Sequence, residues 1–230
     1  ADILVVPHAI GVGLRFAEGE CPILDTVTSS VDVLGLRGVA GSPEVKSVCE
    51  TVRLVRERLP KGVGLIGFCG GPWTVASYMI EGGSSDRLNA RLAAYEGQDG
   101  FVKLVDRLVE ESVAYLGAQI DAGAQAVQIF DSWAGELTGV ARRRFVFDPL
   151  RRIVHAVKAK FANVPVIVFA RGVGSDHRTI AEVTGADVIG VEAEENLSGL
   201  LGLVGARVAV QGNLDPIALL AGDKALRDEV

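Results

Sequence analysis

Cysteine is scarce in this chain, and its scarcity excludes one class of fold at once. The 230 residues contain three cysteines, Cys21, Cys49 and Cys69. An odd, sparse, widely spaced set argues against a disulfide framework and for a reducing compartment. Long apolar runs are missing too. No stretch of about 18 uncharged apolar residues occurs, so no transmembrane helix is expected, and no signal peptide is visible. Positive charge is not in excess: the formal net charge is −6, which argues against a general nucleic-acid or anionic-membrane surface. A local basic pocket for an acidic ligand is compatible with that sum. Histidine is limited to His8, His155 and His177, none with a Cys or His partner at metal-ligand spacing. A strand-linked G-x-G-x-x-G is absent, which weakens a dinucleotide-binding reading.

What remains is ordinary for a globular protein: 49% hydrophobic and 23% charged residues, in a chain long enough for a sizeable core. The chain does not begin with Met, opens as a strand end and closes on a helix with no stop signal. The expectation is a piece of a longer protein lacking both ends.

The organising stretch is GLIGFCGGPWTVASYMIEGGSSD, residues 64–86. Leu65 to Phe68 read as a buried strand. Gly70 and Gly71 allow a tight turn, Pro72 suits the first position of a helix, and Gly82-Gly83 stop it. A strand that empties through glycines into a helix N-terminus is suited to anionic groups. Two later strands end comparably, at Phe130-Asp131-Ser132 and at Gln211-Gly212-Asn213-Leu214-Asp215-Pro216, and three such ends suggest one shared site.

Elsewhere the pattern alternates. Strands are predicted at Ile3–Val6, Ala126–Phe130, Val164–Ala170, Asp187–Val191 and Arg207–Val210. Pro7 to Asp25 reads as loop, and Asp25 to Gly41 as mostly irregular. Helices are predicted from Ser42-Pro43 to about Leu59, over 86–95, 100–122, 139–147 and 149–161, near 177–184 and 197–204, and from Pro216. The longest carries Phe101, Leu104, Val105, Leu108, Val109, Ser112, Tyr115, Leu116 and Ile120 at helical spacing. Apolar strands alternating with amphipathic helices indicate parallel βα units in a single α/β domain, with about six strands. The pattern alone leaves a βα barrel and an open doubly wound sheet both standing.

The segments GFCGGPWTVASYMIEGG, QIFDSWAGEL and VQGNLDP, in this order, together with the opening ADILVVPHAIGVGLRFAEGECP, resemble the uroporphyrinogen decarboxylase family over nearly the whole chain. The resemblance implies a (β/α)8 TIM barrel, incomplete here, with about six of the eight strands. The absent ends would supply the first strand, most of the second and the last. It implies a cytoplasmic, cofactor-independent carboxy-lyase of haem biosynthesis. Such an enzyme removes the four acetate carboxyls of uroporphyrinogen to give coproporphyrinogen, uses no metal, and forms a homodimer when full length. The piece alone is expected to be inactive.

The resemblance also assigns residues. Asp2 would bind the pyrrole N–H groups and balance a cationic intermediate, where composition alone reads an exposed strand-end carboxylate. Tyr78 and Ser132 would face the substrate, against the alternatives of packing and turn-capping. Phe68 and Phe130 would line the macrocycle pocket rather than serve only as core. Asp131 has a supporting role, Cys69 is a small filler, Asn213 and Asp215 are structural first, and Arg142-Arg143-Arg144 is a solvated helix face. The general acid is not assigned. The family's R-Q-A-G-R and G-H-G motifs have no counterpart in the chain, and Glu192-Ala193 replaces its usual Asp-Trp. Two other functions stand beside this one: a zinc-dependent corrinoid or thiol methyltransferase of the same superfamily, which needs a His-x-Cys pair not present here, and a non-catalytic tetrapyrrole-binding protein.

Overall fold

The computed structural model describes residues 2–16, 22–27, 29–83, 85–205 and 207–229; Cys21 lies outside them. The chain opens with a short helix, α1 (Val5–Ala9), then a two-residue antiparallel pairing of β1 (Leu14–Arg15) with β2 (Ile23–Leu24). Helices α2 (Ser30–Leu34) and α3 (Pro43–Arg58) follow. Five βα units come next. β3 (Ile66–Gly70) leads to α4 (Pro72–Glu81), α5 (Leu88–Glu96) and α6 (Asp99–Asp121). β4 (Ala126–Asp131) leads through a 3-10 turn to α7 (Gly139–Arg142), a π-helical stretch over Arg143–Phe147, and α8 (Asp148–Lys160). β5 (Val166–Ala170) precedes α9 (His177–Thr184), and β6 (Val188–Gly190) precedes α10 (Leu197–Val204). β7 (Ala209–Gln211) precedes α11 (Pro216–Ala221) and α12 (Asp223–Glu229). No helix among the described residues is long and apolar enough to cross a membrane.

The five strands form one parallel sheet in sequence order, β3-β4-β5-β6-β7. The sheet is curled, and side-chain parity shows it. A Cβ added to Gly190 on β6 would lie 3.2 Å from the Phe169 ring on β5 and 3.6 Å from Gln128 Nε2 on β4. A side chain can reach past one strand to the next only on a concave face. Phe68, Gln128, Phe130, Ile167 and Phe169 therefore line the inside of a barrel wall, while the alternate residues Val127, Ile129, Val166, Val168 and Ile189 are buried beneath the helices. On that outer side Trp73 of α4, Phe101 of α6 and Phe145 stack edge-to-face, with ring centroids 6.0 and 5.0 Å apart. The fold is that of a (β/α) TIM barrel, with five barrel strands in the described residues.

The sixth expected strand, Ile3–Val6, is a helical turn instead. Its β-branched run reads as a strand, but Asp2 Oδ1 accepts from the Leu4 N–H at 2.8 Å and the Val5 N–H bonds the Asp2 carbonyl. That arrangement starts a helix and leaves Pro7 in its first turns, where a missing N–H is tolerated. Asp25 to Gly41, expected to be irregular, contains α2. Its start is a capping box: Ser29 Oγ accepts from Asp32 N–H, and Asp32 Oδ2 accepts from Ser29 N–H. Ser42 caps α3 as predicted, accepting from Val45 N–H.

β3 is an edge strand, and one side chain closes it. Gln119 of α6 accepts from Phe68 N–H at 3.0 Å and donates to the Phe68 carbonyl at 2.9 Å, as a neighbouring strand would. At the opposite end of the strands the exits of β4 and β5 touch backbone to backbone. Gly135 N–H donates to the Arg171 carbonyl, and a Cβ on Gly135 would fall 2.3 Å from the Gly172 carbonyl oxygen.

Gly135→Ala should therefore lower stability by about 1–3 kcal/mol, as overpacking does. Gly202→Ala, in α10 with open space around the added methyl, should raise it by about 0.5–1 kcal/mol through helix propensity. Urea unfolding of the two variants against the parent checks both signs.

Candidate active site

The rim at the C-terminal ends of the strands is built around one buried carboxylate. Gly71 is the N-cap of α4 and offers no side chain, so the first N–H groups of the helix look elsewhere for acceptors. Asp131, at the end of β4, supplies one: its Oδ1 accepts from Thr74 N–H at 3.2 Å and from Thr74 Oγ1 at 2.6 Å. The approach is so close that a Cβ on Gly71 would lie 2.5 Å from the Asp131 side chain. Thr74 Oγ1 in turn accepts from Trp133 N–H, and Trp73 Nε1 donates to the Trp133 carbonyl at 2.8 Å. The N-terminus of α4 thus grips the turn after β4 from both sides, and Ser132 is the residue held between the two grips.

Inside the wall, Phe68 and Phe130 meet edge-to-face at 5.9 Å, and Phe130 meets Phe169 at the same distance. All three rings are half-buried, forming an apolar surface that ends at the rim. Phe169 was predicted only as part of a strand, and no local signal singled it out; pairing of Phe130 with Phe169 places it in the row.

Tyr78 lies half-buried on α4. Close to it Arg87, missed in the sequence, makes a bidentate pair with Glu136 (Nε to Oε2, 2.6 Å; Nη2 to Oε1, 2.5 Å), donates to the Ser85 carbonyl, and sits 4.0 Å over the Trp133 ring. The hydrogen bond to Glu136 is the main cause holding this guanidinium even more firmly protonated, with smaller contributions from Tyr78 and Asp86. Arg87 so joins the segment after α4 to the turn after β4.

Asp2 is placed apart from the aromatic row. It is exposed and lines a cleft of about 370 Å³ with Val5, His8, Phe16, Glu44 and Val48, between α1, β1 and α3. Its neighbour Ile3 reaches the rim, within 3.1 Å of a Cβ added to Gly70. The structure thus gathers Phe68, Phe130 and Ser132 on one stretch of wall and rim, with Tyr78 on the helix that follows β3, while Asp2 lies in a separate cleft and only its neighbour Ile3 reaches Gly70.

Cys69 points to the helix side and is fully buried, and burial pushes its thiol up to about 12. It is inert filler, as its sequence context suggested. His155 is exposed. Arg142 corrects the reading of a solvated basic face: Arg143 and Arg144 are exposed, but Arg142 is tucked in, donating to the Leu137 and Gly135 carbonyls and to Asp176 at 2.7 Å. Asn213 is structural, donating to the Ala193 and Glu195 carbonyls and so pinning the segment after β6.

Burial leaves Asp131 Oδ2 without a partner and pushes the carboxyl up to about 7, against the lowering effect of the two Thr74 bonds. The folded state then keeps a proton that the unfolded chain has released above about pH 4. Stability should fall as pH rises from about 4 to about 7, by an amount on the order of a few kcal/mol. Asp131→Asn keeps the Thr74 acceptor and removes the titration, so that segment of the pH–stability curve should flatten. Denaturant titrations at a series of pH values test this; an unchanged slope in Asp131→Asn would contradict it.

The family model described as "Uroporphyrinogen decarboxylase (URO-D)" matches residues 1–230. Curated proteins named uroporphyrinogen decarboxylase from Brucella canis, Brucella abortus and Brucella melitensis are each 44% identical over 231 residues, spanning all of this chain and 67% of their own length. Among solved structures, a methyltransferase from Methanosarcina mazei superposes with a TM-score of 0.72 at 19% identity, covering 93% of this chain and 62% of its own; that likeness concerns the fold. With a family model matched from end to end and relatives this similar across its whole length, the chain belongs to the uroporphyrinogen decarboxylase family of carboxy-lyases.

Proposed function

We propose that the protein removes CO₂ from the four acetate side chains of uroporphyrinogen, giving coproporphyrinogen in tetrapyrrole biosynthesis. The observation that carries the proposal is the row of Phe68, Phe130 and Phe169 running up to a polar rim at the C-terminal ends of the strands. A flat apolar macrocycle fringed with carboxylates needs that combination: an aromatic wall for its body and hydrogen-bond donors at its edge.

The chemistry asks little of an external cofactor. A proton added to the ring carbon next to the one that carries the acetate arm makes the pyrrole an iminium-like electron sink conjugated to that arm. The C–C bond to the carboxylate breaks, its electron pair flows into the ring, and CO₂ leaves. A second proton, delivered to the resulting methylene carbon, restores the aromatic pyrrole as the ring proton is lost. The substrate provides the sink, and the protein provides positioning, proton delivery and a counter-charge for the cation. Asp2 takes the role of counter-charge to the pyrrole N–H groups, Tyr78 and Ser132 hydrogen-bond to the substrate's carboxylates, and Phe68 and Phe130 bear on the ring. Ile3 packing over the end of β3 supports Asp2 beside the pocket, and the grip on Trp133 supports a fixed Ser132. A homodimer and a cytoplasmic location belong to the same reading and rest on family membership.

Asp2→Asn should leave KM nearly unchanged and lower kcat by about two orders of magnitude, since its charge matters most when the pyrrole is cationic. Tyr78→Phe loses one hydrogen bond, worth ~1 kcal/mol, and should slow turnover roughly fivefold. Coproporphyrinogen formation, followed as porphyrin after oxidation, reads both. Wild-type kcat in Asp2→Asn of the full-length protein would remove Asp2 from the mechanism, and no product from the full-length protein would overturn the proposal.

A further inference from the structure

A second cluster of chemistry lies where the exits of β5 and β6 meet. His177 begins α9, and Glu192 and Glu195 follow β6. His177 is only 1% exposed, yet neither ring nitrogen has a hydrogen-bond partner. Leaving a buried imidazole unpaired costs on the order of 1–3 kcal/mol unless something else satisfies it. Its Nε2 is 3.4 Å from Glu195 Oε1 and 3.9 Å from Glu192 Oε2, too far or too poorly directed for hydrogen bonds. Glu192 Oε2 is buried and unpartnered as well, although Oε1 accepts from Gly172 N–H at 2.7 Å. One ligand atom from each of the three residues can be chosen so that all lie within 4.8 Å of one another, the one such group among the described residues.

These separations suit a shared ligand better than direct bonds. Donor atoms each about 2.1 Å from a tetrahedral metal ion stand about 3.4 Å apart. The donor set is one imidazole and two carboxylates, three protein ligands with a position left for water, which fits a first-row divalent cation and not a soft monovalent one. The positive charge would balance two half-buried carboxylates. The supports are in place: Gly172 N–H orients Glu192, and Asn213 holds the backbone carbonyl of Glu195 at 2.5 Å. We propose that His177, Glu192 and Glu195 form a binding site for a divalent transition-metal ion, which cross-links the exits of β5 and β6 on the barrel rim. The sequence hides it, because the histidine and the carboxylates come from different βα units and share no local spacing.

The experiment uses the full chain, stripped with chelator and titrated calorimetrically with ZnCl₂ and, separately, MgCl₂. The site predicts saturable Zn²⁺ binding at one equivalent, no comparable Mg²⁺ binding, and a melting temperature that rises with Zn²⁺. His177→Gln and Glu195→Gln should each weaken Zn²⁺ by about tenfold or more. Since His177 is in the core, Co²⁺ added to the wild-type chain gives an independent readout: visible bands of a four- or five-coordinate nitrogen–oxygen site, lost in Glu195→Gln. No stoichiometric Zn²⁺ binding would overturn the proposal. Zn²⁺ binding of unchanged affinity in Glu195→Gln would overturn it equally, as adventitious binding elsewhere. Neither result bears on decarboxylation.

Discussion

The contact on which the rim depends is that between Asp131 and Thr74. A glycine turn lets strand and helix come close, but it strips the helix of its own cap, and only an acceptor from the next strand can replace it. Asp131 does so at the cost of burying a carboxyl with one oxygen unsatisfied. The positive end of the α4 dipole and the two Thr74 bonds favour its ionised form, burial opposes it, and burial prevails. From this joint the remaining contacts propagate: Thr74 and Trp73 to Trp133, the Asp131 carbonyl to Arg171 N–H, Gly135 to Arg171, and Gly172 to Glu192. Each strand exit is fastened to the next, so side chains on separate βα units are presented on one rigid edge.

Much of this was legible in the sequence because it is local. The turn of Gly70-Gly71 into Pro72, the long amphipathic face of α6 and the Ser42-Pro43 start of α3 are signals carried within a few residues, and they agree with the fold. The strand expected at Ile3–Val6 failed for a local reason as well. The β-branched residues favour a strand, while the Asp2 side chain closes a turn onto Leu4. Ser29 and Asp32 carry a capping box in a stretch whose weak periodicity suggests irregular chain.

The site was legible only in part, and the boundary is physical. Phe68 and Phe130 sit at strand ends within recognisable motifs, and parallel register makes them neighbours. Phe169, Arg87 and Arg142 owe their positions to contacts between units far apart in the chain, so no spacing announces them. The three arginines at 142–144 look alike in sequence, yet the first is drawn inward by two carbonyls and Asp176 while the others stay in solvent. Asp2 marks the other limit: its motif suggests a role, whereas its surroundings place it in a cleft of α1, β1 and α3 that none of the three rings lines.

The claim that this rim and wall hold the tetrapyrrole is tested most directly by amide hydrogen exchange with and without bound coproporphyrinogen. The account predicts added protection concentrated at residues 70–74 and 130–135, where the glycine turn and the turn carrying Ser132 would be covered. Protection confined to the α1–α3 cleft, with these two turns exchanging as in the free protein, would contradict it.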